Sequence, residues 1–183
     1  AGHTEAADLG LIRTADGAST WFGTVAATGF DSLVSDRVNR MSWPHGRMRY
    51  NVAMVAELSQ LRPLPFRLLL DGEREIVADL TLAAIGITRS YGGGMQICPN
   101  ADHSDGLLDI TMVAAGSRLR LIRLFPTVFK GTHVDLDEVT TARARTLTIA
   151  CPGINAYADG DFVGPLPAEI SAVPEAVHIL VRP

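Results

Sequence analysis

The chain has little cysteine. Its 183 residues include only Cys98 and Cys151, and neither belongs to a CxxC pair or a Cys/His zinc spacing. That argues against a disulfide scaffold and a zinc module, and favours two buried thiols in a reduced, cytoplasmic setting. Long hydrophobic runs are missing as well. No stretch approaches the ~20 apolar residues of a membrane-spanning helix. Positive charge is not in excess. A net charge of −4 argues against a nucleic-acid partner, which asks for a basic face. It also offers no general attraction to anionic membranes, so any lipid contact has to be local. The start, Ala1-Gly2-His3-Thr4-Glu5, has no initiator Met and no signal-peptide pattern. The expectation is one domain, residues 1–183, cut from something longer.

Other absences narrow the chemistry. His3, His45, His133 and His178 share no spacing, and Ser32, Ser104 and Ser171 sit in no nucleophile elbow, so no Ser/His/Asp triad can be built. Gly92-Gly93-Gly94 has no Lys-Ser/Thr behind it and no helical pattern after it. It is therefore a bulge or a close backbone approach and not a phosphate loop.

What is present is an ordinary globular composition, 47% hydrophobic and 20% charged, long enough for one real core. Asp8 to Thr14 reads as a short strand ending at Asp16-Gly17, and Thr20 to Gly29 as a second. Asp31 is placed to cap a helix through Leu33, Val34, Val38 and Met41, broken at Trp43-Pro44-His45-Gly46. Tyr50 to Leu61 reads as the longest helix, with Val52, Val55, Leu58 and Leu61 on its apolar face. Phe66 to Leu70 leads into a hairpin at Asp71-Gly72. Glu75 to Ile87 makes one bent strand or two. Leu107 to Ala114 is a strand, Leu119 to Phe129 a helix interrupted at Pro126, and Val139 to Cys151 and Ala176 to Val181 strands. The class is mainly β: an antiparallel β-sandwich with two or three appended helices.

Two acidic turns carry the candidate chemistry. In Asp159-Gly160-Asp161, Asp-Gly is what a type I′ hairpin turn prefers, so backbone chemistry alone explains one Asp. The second could project into a cleft and accept a proton from a substrate hydroxyl. In Asp102-His103-Ser104-Asp105-Gly106-Leu107, the acids could be a solvated loop. Two carboxylates three residues apart, with main-chain carbonyls, also suit oxygen ligation of Mg²⁺ or Ca²⁺. His103 between them is more often exposed than a ligand for a hard ion.

Gly92 to Leu108 and Asp159 to Pro167, in this order, resemble the C-terminal half of the bacterial diacylglycerol kinase and sphingosine kinase-like lipid kinase family. The resemblance spans roughly Asp8 to Val181 and includes Gly29-Phe30-Asp31. It implies a two-domain kinase. A nucleotide-binding domain with a Gly-Gly-Asp-Gly-Thr loop would bind ATP with Mg²⁺, and that loop is not in this chain. The β-rich domain would carry the general base and line the lipid cleft. Asp161 stands where the family has a Glu as proposed proton acceptor, and the swap shortens its reach by about 1.5 Å. The resemblance also implies a structural Mg²⁺ held by the Asp105 side chain and the main-chain oxygens of Asp102 and Leu107.

The activity so implied is phosphotransfer from ATP to the hydroxyl of diacylglycerol or a similar lipid, this chain alone holding half an active site. The alternatives are a kinase for a sphingoid base, ceramide or polyprenol, or a non-catalytic β-sandwich that binds lipid or a partner. Expected partners are the lipid and the missing nucleotide-binding domain, with peripheral contact at the inner membrane face. Exposed sheet edges leave room for a homodimer.

Overall fold

The structure, a computed structural model, describes residues 3–181. Its strands are β1 (His3–Thr14), β2 (Ser19–Phe22), β3 (Val25–Gly29), β4 (Leu64–Leu70), β5 (Arg74–Gly86), β6 (Leu108–Ala114), β7 (Val139–Ala144), β8 (Thr146–Ala150), β9 (Asn155–Ala158), β10 (Asp161–Pro165) and β11 (Ala168–Val181). The helices are α1 (Phe30–Arg40), α2 (Arg47–Ser59) and α3 (Arg118–Val128), with a 3₁₀ turn at Thr132–Asp135.

All pairings are antiparallel and run β10-β9-β3-β5-β4-β8-β11-β1-β2, with β6 on β5 and β7 on β6. The long strand β5 joins the two layers. Its first half, Arg74–Leu80, pairs with β4. Its second half pairs with both β3 and β6, after a register shift between Leu80 and Leu82. A bulge of this kind bends and twists a strand, and here it lets one strand serve both sheets.

The main core lies between the layers. Ile12, Phe66, Leu68, Leu147 and Ile170 from one side meet Ala26, Ile85, Ile110 and Ala156 from the other. Strand β3 is buried along its whole length, and β5 from Leu80 on. Their outer faces carry a second cluster with Ile97, Cys98, Leu124 and Val128. That double burial explains near-continuous apolar runs where a one-sided strand would alternate. Gly29 turns the chain from β3 into α1 at φ 82, where a Cβ would sit 2.7 Å from the Thr81 carbonyl oxygen. No helix among the described residues is long and apolar enough to cross a membrane.

The sandwich with three helices agrees with the sequence, and five local expectations change. Helix α3 runs through Pro126 without the break expected there. Thr20 to Gly29 is two strands, broken at Gly23-Thr24, and Val139 to Cys151 is two, broken at Arg145. Helix α2 turns Val52 and Val55 outward, 43% and 67% exposed, and buries Ala53. Its partner α1 offers Val34 and Val38, and only a small side chain fits against that close face. Asp31 does not cap α1. The N-cap is Gly29, with no side-chain capping bond, and the Asp31 carboxylate accepts the Tyr91 hydroxyl instead. Gly92, Gly93 and Gly94 all have positive φ and form a tight loop between bridged Tyr91 and Met95. Both cysteines are free and buried.

Candidate active site

Strands β9 and β10 meet in the hairpin that carries the first acidic turn. Asp159 at φ 51 and Gly160 at φ 93 form the left-handed corner that Asp-Gly allows without steric cost to the glycine. The Asp159 carboxylate points back to the β2–β3 junction. It accepts the backbone N–H groups of Gly23 at 2.7 Å, Thr24 at 2.9 Å and Val25 at 3.2 Å, and also the Thr24 hydroxyl. This Asp is a clamp, and it explains why the chain breaks pairing at Gly23-Thr24.

The hairpin is tied a second time, to α1. The buried Tyr157 hydroxyl donates to Asp36 at 2.7 Å and accepts from the Asn39 amide at 3.1 Å. Asn155 donates to the other Asp36 oxygen at 2.9 Å. Burial, then the Asp36 carboxylate, pushes the Tyr157 phenol up to about 12, so it stays a hydrogen-bond donor at neutral pH. Phe162 lies edge-on to Tyr157, with ring centroids 5.6 Å apart. Between Phe162 and Gly164 the ladder slips by a residue.

Asp161 opens β10, opposite Ala158 in the register. It is exposed, and among the described residues it has no hydrogen-bond or ion-pair partner. The hairpin therefore presents one carboxylate fixed by four donors and, two residues on, one left open. A general base needs a fixed backbone and a free acceptor, and Asp161 has both.

The second acidic loop is different. The Asp102 carboxylate folds onto Ser104, accepting its N–H at 3.0 Å and its hydroxyl at 2.7 Å. The Ser104 hydroxyl is the chief reason its carboxyl is held below the usual range. Asp105 accepts the Leu107 N–H at 3.0 Å with one oxygen and the Arg143 guanidinium with the other. Arg143 also reaches Asp109 at 3.2 Å. Burial raises the Asp109 carboxyl, and Arg143 opposes that rise. Asp102, Asp105 and Leu107 share one loop; the set expected there is the Asp105 carboxylate with the main-chain oxygens of Asp102 and Leu107, and that carboxylate faces Arg143. The described residues hold no group of three His, Cys, Asp or Glu side chains able to share a metal. In this arrangement a guanidinium compensates the Asp105 carboxylate, and a Mg²⁺ ion held through it would share that carboxylate with Arg143.

Three residues escaped the sequence reading. Asp8 is buried and splits its carboxylate between the Gly106 N–H at 2.7 Å and the Glu175 N–H at 2.9 Å. Tyr91 is the partner of Asp31. Burial pushes the Asp31 carboxyl up, against the pull of the Tyr91 hydrogen bond. Arg143 was part of an alternating strand with nothing to mark it. His133, expected to be structural or exposed, is fully buried and bonds the Ile97 carbonyl oxygen at 3.0 Å.

Known proteins resemble the chain over nearly its whole length. Residues 24–181 match the family described as the YegS C-terminal NAD kinase beta sandwich-like domain. A diacylglycerol kinase of Mycobacterium tuberculosis is 72% identical over 179 residues, covering 98% of this chain and 58% of that protein. A diacylglycerol kinase of Bacillus subtilis is 21% identical, covering 95% of this chain and 56% of that protein. Among solved structures, a diacylglycerol kinase of Bacillus anthracis superposes with a TM-score of 0.63 at 15% identity, over 99% of this chain and 55% of that one. The chain thus spans less than two thirds of the length of these relatives. It belongs to the YegS C-terminal NAD kinase beta sandwich-like family, the C-terminal domain family of bacterial diacylglycerol and related lipid kinases.

Proposed function

We propose that this chain is the lipid-side domain of an ATP-dependent kinase that phosphorylates the hydroxyl of diacylglycerol or a similar lipid. The observation that carries this reading is the open carboxylate of Asp161 on a hairpin clamped by Asp159. The 72% identity to a diacylglycerol kinase supports the substrate class.

The lipid hydroxyl donates its proton to Asp161 as its oxygen attacks the γ-phosphorus, and the bond to the β-phosphate oxygen breaks. ATP supplies the phosphoryl group and would be held by a nucleotide-binding domain outside this chain. Asp159 and the Tyr157–Asp36 contact keep Asp161 from drifting, which matters because a misplacement of about 1 Å can cost ~10²-fold in rate. Asp102, Asp105 and Leu107 have no part in this step.

The test is ATP-dependent phosphorylation of diacylglycerol by the full-length protein, wild type beside Asp161→Asn. A loss of about 10²-fold or more with unchanged folding is expected for removal of a general base. Equal activity in the two proteins would remove Asp161 from that role.

A further inference from the structure

Helix α3 has two apolar faces, and the fold uses one. Leu124 and Val128 are buried against the sheet, and half-buried Leu121 lies on the same side. At about 100° per residue, Leu119, Ile122, Phe125 and Phe129 form a second stripe, roughly 120° around the helix. Those four are 69%, 52%, 39% and 45% exposed. Phe125 and Phe129 stack edge to face, with centroids 5.6 Å apart, so their rings form one ordered surface.

Charge surrounds that stripe. Residues 118–130 contain Arg118, Arg120, Arg123 and Lys130 and no acid, four of the 16 cations of a chain with net charge −4. Arg120 pairs with Glu138 at 3.5 Å, and Arg118 donates to the Ser59 carbonyl oxygen. Arg123 and Lys130 have no ion pair among the described residues. The next acids, Asp135 and Asp137, come only after the helix.

We infer that α3 docks on an anionic lipid surface. Exposed Leu, Ile and Phe beside cations with long alkyl stems is the composition of a helix lying in the bilayer interface. At 11 residues α3 is too short to span. The core of a protein interface is depleted of charged residues, whereas here cations flank the apolar stripe along the whole helix. The unpaired cations and the apolar stripe meet both needs of one partner, negative headgroups above an apolar layer. Docking at α3 goes beyond the kinase reading and does not rest on it.

The test is sedimentation of the full-length protein with vesicles of phosphatidylcholine, with or without phosphatidylglycerol, in the absence of diacylglycerol and ATP. The wild type should bind the phosphatidylglycerol vesicles and release them as salt screens the contact. Each cation near such a surface is worth about fivefold in binding. The pair Arg123→Glu and Lys130→Glu should therefore weaken binding at least about 25-fold. Ile122→Ser, which leaves charge untouched, should weaken it about fivefold through lost apolar burial. All three side chains are exposed, so circular dichroism and Tm should not change. Wild type that ignores phosphatidylglycerol, or variants that bind as well as wild type, would overturn the proposal. So would variants that change the protein's mass in solution while vesicle binding stays the same, since the stripe would then be a protein contact. Phosphorylation of detergent-dispersed lipid reports on Asp161 separately, so either reading can fail alone.

Discussion

Two hairpins of this domain turn on an Asp-Gly whose Asp is left-handed, and only one of them has a candidate for chemistry. Asp71-Gly72 joins β4 to β5, and Asp159-Gly160 joins β9 to β10. Both aspartates sit at φ 51. Both turn their carboxylate onto backbone N–H groups of a distant strand junction. Asp71 takes Arg145 and Thr146 at 2.8 Å each, as Asp159 takes Gly23 and Thr24. The Thr146 N–H is the chief reason the Asp71 carboxyl lies below its ordinary range. The recurring part is structural: a left-handed Asp that ends one ladder and starts another. The difference lies in the residue after the glycine. Both carboxylates are exposed and without a partner among the described residues, but Glu73 still belongs to the turn, whereas Asp161 already stands in register on β10. An open carboxylate held in register on a strand, and not one in the turn itself, is the one to test for function.

The largest effect expected from this comparison is at Asp161. Asp161→Asn should lose about 10²-fold or more in turnover while Tm stays within error, because the side chain holds nothing. A large fall in Tm would make Asp161 a structural residue like its neighbour.

The clamps should respond in the opposite way. Asn tolerates the left-handed φ, so Asp159→Asn and Asp71→Asn report on the hydrogen bonds and not on strain. Each exchange sets an amide N–H among donors. Hydrogen bonds to a charged group contribute about 1.5–3 kcal/mol, and exposure reduces that here to about 1–2 kcal/mol for either variant. Chemical denaturation would measure it. Turnover should separate them: about tenfold lower in Asp159→Asn, whose hairpin carries Asp161, and unchanged in Asp71→Asn. Equal loss of activity in both would show that the effect is general softening of the sandwich.

The same clamps mark the limit of what was legible in the sequence. The sandwich, the β5 strand, the α1 and α3 helices and both hairpin turns could be read because turn chemistry and periodicity are local. The breaks at Gly23-Thr24 and at Arg145 could not. Each is made by a carboxylate far along the chain, 135 residues away for Thr24 and 74 for Arg145. Alternation of side chains carries no trace of that. The face of α2 was misread because the closeness of α1, not the spacing of valines, decides that Ala53 goes inside. At the candidate site, Asp161 was legible as a position, while the partners that settle the other acids, Arg143, Tyr91 and Asp8, come from elements remote in sequence.

Arg143 offers a smaller test, one on the metal question. It is half exposed, so its pairs with Asp105 and Asp109 are screened. Arg143→Met should lower Tm by a few degrees, the change that about 1 kcal/mol produces in a domain this size. Millimolar Mg²⁺ should leave the wild-type Tm where it is, since the guanidinium already holds Asp105. A Mg²⁺-dependent rise in wild type would show that the ion displaces Arg143 and takes the loop.

The smallest effect belongs to Asp102, and its value lies in its pH dependence. The Ser104 hydroxyl and N–H hold its carboxyl below the ordinary 3.8. A depressed carboxyl contributes stability that is present above the unfolded value and is lost as pH falls through the folded one. Wild type should therefore show an acid step beginning just below pH 3.8. Asp102→Asn should shorten that step only slightly, the rest belonging to other lowered carboxyls such as Asp71 and Asp16. It should match wild type at pH 7 to within the error of a melting curve, because the group is wholly exposed. A clear loss at pH 7 would mean that the Asp102 carboxylate has a task beyond its own turn. The contrast with the Asp159-Gly160-Asp161 hairpin, where one acid holds the backbone and one stays free, would then no longer hold.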